Sequence, residues 1–400
     1  MDPIQDILHD LRAGKVIVLL DDEGREDEGD LVCASEFATP EVINFMLREG
    51  RGMLFVSLTG QACDRLQLPP QHSVNTTQRG TAYTVTVDAA ARFGVTTGVS
   101  AQDRSTTITR LADPDASPLD FDRPGHVQPL RARDGGTLVR AGHTEGLIDL
   151  MRLAGLQPCA VGIEVMNEDG TMARRPQIDE LAKKFDLKVC TVADVIQHRL
   201  ERDRLIERTD VVPFSNEFGD WRLVAYRSAV DPFPHVALVC GEQLARWDDF
   251  GKPIDAGEPA LVRMHSQNLL GDVFGDATQP SGQTLRDAMR MIQAQGSGAV
   301  VYQRHEGMGK GLLKRLQTGR IPEDSDAHDE RVQLGNNHET PGTAPAANKA
   351  DYGIGCQILR DLGIRRLRLI TAHPFTPTAL SGYGLEIDGF VTPSTQKPTD

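Results

Sequence analysis

The sequence predicts the α+β class, as two mixed α/β domains in series, on three observations. The chain has 400 residues, more than one hydrophobic core usually serves, so two domains of roughly 200 residues are expected. Short β-branched runs alternate with segments of helical periodicity along both halves. Between them, HRLERDRLIERTDVV at 198–212 is rich in charge and lacks a strong apolar stripe, as a helical linker or an edge element would. The domains are therefore expected at 1–206 and 207–400.

The elements follow in order. The start MDPIQDILHDLRAGK has no basic flank, no sustained apolar stretch and no small-residue cleavage site, and reads as an amphipathic helix rather than a signal peptide. KVIVLL (15–20) breaks into a dense acidic turn and resumes as LVCASEF (31–37), which predicts two strands joined by a loaded loop. GMLFVSL (52–58), YTVTV (83–87), GIEVM (162–166) and LKVCTV (187–192) read as strands, and so do the threonines of RSTTI (104–108). PEVINFMLREG (40–50), TEGLIDLMRLAG (144–155) and IDELAKKF (178–185) carry helical periodicity with Pro or Gly at their ends. In the second half WRLVAYRS (221–228), HVALVCG (235–241), EPALVRMHS (258–266) and AVVYQ (299–303) predict strands, with a helix at QTLRDAMRMIQAQG (283–296). Residues 317–349 are polar and rich in turn formers, which predicts a long mobile loop, and the end PSTQKPTD should fray. No internal repeat is visible.

Composition excludes several classes. Hydrophobic residues at 39% and charged residues at 25% are ordinary for globular protein, and no apolar run approaches the roughly 20 residues of a membrane helix. A soluble, cytoplasmic protein is expected. The net charge of −14 argues against nucleic acid and anionic lipid as partners. The six cysteines, Cys33, Cys63, Cys159, Cys190, Cys240 and Cys356, form no C-x-x-C pair, which argues against a zinc site and a disulfide framework.

Two segments carry chemistry. Residues 21–30, DDEGREDEGD, hold seven carboxylates and one Arg at the end of an apolar strand. Hard oxygen donors at that density suit Mg²⁺ or Mn²⁺, although a solvated acidic turn would look the same. GGTLVRAGHTEGLIDL places Arg140, His143 and Thr144 at a Gly-bounded strand-to-helix turn. Free N–H groups and the helix dipole favour a phosphate there, Arg140 offers a bidentate fork, and His143 offers an imidazole ligand. A Thr144 N-cap beside a satisfied histidine is the plainer alternative.

Together these segments resemble the 3,4-dihydroxy-2-butanone 4-phosphate synthase family over about residues 5–200. The resemblance rests on Arg25-Glu26-Asp27-Glu28-Gly29-Asp30, TTGVSAQDRSTTI, PGHVQPLRA around His126, RAGHTE at 140–145 and GIEVMNEDGTMAR with Glu164. It implies conversion of ribulose 5-phosphate to 3,4-dihydroxy-2-butanone 4-phosphate and formate in riboflavin biosynthesis, by a homodimer with its sites at the dimer interface. It further implies that Glu26 and His143 ligate a pair of divalent ions. Arg25, Glu26, Asp30, Glu164 and the turn Arg140, Ala141, Gly142, His143, Thr144 hold the substrate, and Glu26, Asp30, His126, His143 and Glu164 are catalytic. Cys63 resembles a loop that covers the substrate in the family, and a buried structural thiol fits it equally. Thr106 or Thr107 could touch substrate but are left out of the site.

Residues near 210–390 resemble GTP cyclohydrolase II through LVRMHSQNLLGDVFGD, QTLRDAMRMIQAQGSGAVVYQRHEGMGKGLL and DYGIGCQILRDLGIRRLRLIT. The three zinc thiolates that the resemblance implies are replaced by Asn268, Gln279 and Ser281, and neither amide nor hydroxyl substitutes for anionic sulfur. The implied acid/base Asp and nucleophilic Arg are replaced by Asn348 and Ala350, and a Lys by Thr376. No zinc is expected, and the domain reads as a scaffold or regulator that keeps Arg263, His265, Arg304 and Glu306 near a former nucleotide pocket. The alternative is a bifunctional enzyme that also hydrolyses GTP. A nucleotide-sensing module without enzymatic activity is disfavoured by the intact Arg25, Glu26 and His143.

Overall fold

The computed structural model describes residues 1–21, 25–73, 75, 77, 79–230, 233–276, 280–304, 353–371 and 380–393. The expected loop at 317–349 and all but the first residue of the C-terminal PSTQKPTD lie outside them. The chain divides into two compact units, one made of Met1–Asn75 and Thr81–Arg202 and the other of Thr76–Gly80 and Asp203–Asp400.

The first unit runs α1 (Ile4–Arg12), β1 (Ile17–Leu20), β2 (Gly29–Ala34), α2 (Pro40–Gly50), β3 (Arg51–Leu58), α3 (Gly60–Arg65), β4 (Val87–Ala89), α4 (Ala101–Ala112), β5 (Phe121–Arg131), α5 (His143–Ala154), β6 (Cys159–Val165), α6 (Arg175–Phe185), β7 (Val189–Thr191) and α7 (Val192–Leu200). Its strands form a mixed sheet of order β4-β5-β3-β6-β2-β1-β7. Every residue of β1 and β2 is buried, because helices cover both faces. Val18, Leu20, Leu31, Cys33, Val56 and Ile163 pack with Ile43 and Met46 of α2, Ile108 and Leu111 of α4 and Ile178 of α6. On the other face Gly146 of α5 lies against Leu19, and Gly162 of β6 is flanked by the Phe55 ring and by Leu147. Burial on two faces explains why these strands read as continuous apolar runs rather than alternating ones.

Local signals set the helix ends. Thr39, Thr59 and Ser100 cap α2, α3 and α4 through their side-chain oxygens, and Thr191 forms a capping box with Asp194 on α7. Four strand expectations need correction. RSTTI lies in α4, where the Ser100 cap and helical packing of Ile108 and Leu111 override the β preference of its threonines. YTVTV makes isolated bridges at Tyr83 and Thr84, and its ladder begins only at Val87. LVCASEF leaves the sheet after Ala34 into a 3-10 turn at Ser35–Phe37. LKVCTV pairs only over Val189–Thr191, since Val192 already belongs to α7.

The second unit runs β8 (Ile206–Asn216), β9 (Gly219–Ser228), β10 (His235–Cys240), β11 (Ala260–Ser266), α8 (Leu269–Val273), α9 (Ser281–Gln295), β12 (Gly298–Gln303), α10 (Gly353–Asp361), β13 (Arg366–Ile370) and β14 (Glu386–Val391). The sheet order is β14-β13-β11-β12-β10-β9-β8, parallel from β14 to β12 and antiparallel from β12 to β8. The charge-rich stretch at 198–212 resolves into the end of α7 and an exposed edge strand, β8. Its charge is what an unpaired edge needs to resist pairing with another chain.

Candidate active site

The β1–β2 hairpin delivers the acidic loop. Leu20 pairs with Gly29, and between them the buried Asp21 carboxylate accepts from the Arg25 guanidinium (2.8 Å) and from the N–H groups of Glu26 (3.2 Å) and Glu28 (3.0 Å). One carboxylate thus folds the described part of the loop around itself. Arg25 also donates to Glu26 Oε2 at 2.6 Å. From outside, Arg174 donates to the carbonyls of Glu26 (2.5 Å) and Asp27 (2.7 Å), which holds the left-handed turn at Asp27 (φ 56°).

The N-terminus of α5 brings His143 against this loop. Its Nδ1 stands 3.8 Å from Glu26 Oε2 and 3.7 Å from Asp30 Oδ2, and ligand atoms of Asp21, Glu26 and His143 all lie within 4.8 Å of one another. Glu164 of β6 faces Asp30 of β2 across an antiparallel pair. Its Oε2 accepts from the Met53 N–H at 2.7 Å. The approach requires glycine at 52, where a Cβ would sit 2.5 Å from the Glu164 carbonyl and 2.7 Å from Oε2.

The electrostatics are those of crowded anions around one base. Burial pushes the Asp30 carboxyl up to about 7; His143 counters this and Glu164, Asp21 and Glu26 add to it. Burial works against the charged His143 imidazolium, yet Asp30, Glu26 and Asp21 overcome it and raise the group to about 9. Burial raises Glu164 as well. Asp30 Oδ1 and His143 Nε2 are buried with no hydrogen-bond partner among the described residues. Buried polar atoms are normally satisfied, so two orphans inside an oxygen-and-imidazole cluster fit a hard divalent cation.

Sequence reasoning named Glu26, Asp30, His143 and Glu164, and the fold gathers them. Asp21, Tyr83, Asp88 and Arg174 were missed. Tyr83 is half-buried, and its hydroxyl is raised by burial and then by the charges of Glu164 and Glu26. His126 does not join the cluster. It stands on β5, where Asp88 accepts its backbone N–H at 2.9 Å and lies 2.6 Å from its Nδ1. Cys63 is buried in α3 and its thiol is pushed up to about 12 by burial. Thr107 links α4 to β4 by accepting from the Ala89 N–H at 2.9 Å, and Thr106 donates to the Gln102 carbonyl.

The turn before α5 differs in kind from the expected strand: a 3-10 turn, Gly136–Leu138, leads through Arg140 and Ala141 to Gly142, which is the N-cap. Thr144 is already inside the helix, so it does not cap it. The Arg140 guanidinium donates to Glu145 Oε2 at 2.6 Å.

In the second unit, His265 lies in β11, Asn268 follows it and Ser281 opens α9. Asn268 caps α8 by accepting from the Gly271 N–H at 3.2 Å. The Asp272 carboxylate accepts from the Ser281 hydroxyl (2.7 Å), the Tyr302 hydroxyl (2.8 Å) and the Asn268 N–H (2.9 Å), and lies 2.9 Å from His265 Nε2. Among the described residues this set offers one imidazole and one carboxylate, already in contact with each other, in place of the thiolates that the resemblance implies. Arg263 donates to the Ile370 carbonyl and Arg304 lies over the Phe233 ring. Gln279, Glu306, Asn348, Ala350 and Thr376 lie outside the described residues.

Residues 5–198 match the 3,4-dihydroxy-2-butanone 4-phosphate synthase family and residues 207–392 match GTP cyclohydrolase II. The riboflavin biosynthesis protein RibBA of Parabacteroides distasonis is 42% identical over 388 residues, covering 97% of this chain and 91% of that one. The chain belongs to the RibBA family. The RibBA protein of Synechocystis is 44% identical over 386 residues, 96% of this chain and 66% of the relative. A solved structure, the two-domain 3,4-dihydroxy-2-butanone 4-phosphate synthase RibBX from A. baumannii, is similar at TM-score 0.63 and 31% identity, covering 98% of this chain and 99% of that one. The first unit is thus a 3,4-dihydroxy-2-butanone 4-phosphate synthase, a lyase of riboflavin biosynthesis that converts D-ribulose 5-phosphate with release of formate.

Proposed function

We propose that the synthase reaction runs in the cleft formed by the acidic loop, Glu164 and the start of α5, with Glu26 and His143 as ligands of Mg²⁺ or Mn²⁺ and Asp21 beside them. The observation that carries this reading is the meeting of Asp21, Glu26 and His143 next to orphaned atoms of Asp30 and His143. A divalent ion there would supply Lewis acidity to vicinal oxygens of the substrate as negative charge develops on them. Arg25, Asp30 and the residues Arg140 to Thr144 bind ribulose 5-phosphate, its phosphate taken by the N–H groups of the first turn of α5 and by Arg140. Proton transfer falls to groups already fixed in place. Asp30, whose carboxyl burial raises, and Glu164, with one oxygen held by the Met53 N–H, can each take or return a proton. His126, with Nδ1 on Asp88, presents Nε2 outward. Removing metal with EDTA should abolish formate release, and adding back Mg²⁺ or Mn²⁺ should restore it. Full activity in the chelated, dialysed protein would overturn the metal assignment.

Arg140→Lys should raise KM for ribulose 5-phosphate about tenfold with kcat within about threefold, because a point charge replaces a planar fork far from the reacting carbons. Unchanged KM with a collapsed kcat would place Arg140 in the chemistry instead.

We further infer a cytoplasmic homodimer. In support, Met53 and Val99 are 42% and 48% exposed beside the site: Met53 adjoins Glu164, and Val99 follows Gly98, which packs on Asp88 and His126. Exposed apolar side chains at a catalytic rim suit cover by a second copy. Sedimentation should give twice the mass of one chain. No described helix is long and apolar enough to cross a membrane. The second unit acts as scaffold or regulator rather than as a GTP hydrolase, on the replaced zinc donors Asn268 and Ser281.

A further inference from the structure

Two carboxylates of α5, outside the metal cluster, hold the segment that carries Arg140. Glu145 and Asp149 stand one turn apart and share a helix face, and each is 1% exposed. Glu145 Oε1 accepts from the Arg133 N–H at 3.0 Å, and its Oε2 accepts from Arg140 Nη1 at 2.6 Å. Arg140 is itself almost buried, with 10% of its side chain exposed. Gly142 leaves room for this pair: a Cβ there would strike Arg140 Nη1 and come within 2.9 Å of Glu145 Oε2.

Asp149 fixes the other end of the same segment. Its Oδ2 accepts from the Thr137 N–H and hydroxyl at 2.7 Å each and from Arg199 of α7 at 2.9 Å. Arg199 also donates to the Gly135 carbonyl at 2.6 Å. Gly136 is left-handed (φ 64°), and Asp149 occupies the place a Cβ would need. The chain from Arg133 to Arg140 is therefore clamped at 133, 135, 137 and 140 by groups of α5 and α7.

We propose that Glu145 is a positioning residue for substrate phosphate: it sets the plane of the Arg140 guanidinium, while Asp149 and Arg199 set the turn that brings Arg140 to the start of α5. This rests on the reading of Arg140 as a phosphate ligand. With Nη1 held by Glu145, the guanidinium has less freedom to lose when phosphate arrives. The clamp is a cross-link between backbone and helix, which neither Gln nor a shorter acid at 145 reproduces.

The test is a double-mutant cycle of Glu145→Gln and Arg140→Ala, reading KM, kcat and the inhibition constant of inorganic phosphate. E145Q should raise KM and the phosphate inhibition constant in parallel, about tenfold, with kcat within about threefold, and should add nothing in the Arg140→Ala background, because coupled residues are not additive. Wild-type KM in E145Q, or full additivity in the double variant, overturns the proposal and leaves Glu145 a structural group. Wild-type KM in Arg140→Ala alone overturns the reading beneath it, which is a separate result. If E145Q melts below the assay temperature, Glu145→Asp keeps the charge and withdraws it by one methylene; a raised KM supports the proposal and an unchanged one overturns it.

Discussion

Glu26→Gln should lower formate release from ribulose 5-phosphate at least about a hundredfold at saturating Mg²⁺, since loss of a ligand costs more than the tenfold to hundredfold typical of its supporting shell. The substitution keeps size and hydrogen bonding and removes the charge. Its expected effect is large because Glu26 is the acid closest to His143 that no strand backbone fixes. Its Oε2 sits between the Arg25 guanidinium and the imidazole, so neutralising it removes negative charge from the place where the cation would bind. The fold should hold, because the described loop is tied through Asp21 and through backbone groups of Glu26, Glu28 and Asp27 rather than through the Glu26 side chain. An unchanged circular dichroism spectrum with activity within about twofold of wild type would remove Glu26 from the ligand set.

The site was legible where chemistry is dense along the chain and illegible where the fold assembles it. Glu26 and Asp30 lie in one acidic run, and His143 lies in a glycine-bounded turn, so each announces itself. Asp21 sits in the same run, but sequence does not tell which of seven carboxylates turns inward; the hairpin pairing of Leu20 with Gly29 decides that. Tyr83 and Asp88 come from a region whose ladder begins only at Val87, and Arg174 reaches the acidic loop from 148 residues away in sequence. Such contacts depend on strand order, which no local pattern encodes. The fold class was legible from alternation. The threonines of RSTTI misled because β propensity measures fit to a half-buried sheet, and here the cap and the packing of α4 prevail.

The second large effect expected is an absence of turnover: the native protein should hold no zinc in its second unit and should not convert GTP to formate and pyrophosphate. Asn268 and Ser281 make other bonds where the resemblance implies thiolates. Asn268 caps α8, and the Ser281 hydroxyl completes the shell of Asp272 that His265, Tyr302 and the Asn268 N–H also fill. Burial opposes the Asp272 carboxylate, yet these donors hold its pKa below the usual value. Restoring cysteine at 268, 279 and 281 would remove a cap and a hydroxyl bond, each worth about 1 kcal/mol, against thiolate–zinc affinities roughly ten times larger. The triple variant should therefore bind zinc on inductively coupled plasma analysis and still fail to turn over GTP. The resemblance puts Asn348 and Ala350 in place of an acid/base Asp and a nucleophilic Arg, and a bound metal replaces neither. GTP turnover at roughly one per second or faster, in the native chain or in the triple variant, would show that the second unit retains catalysis and that the chain is bifunctional.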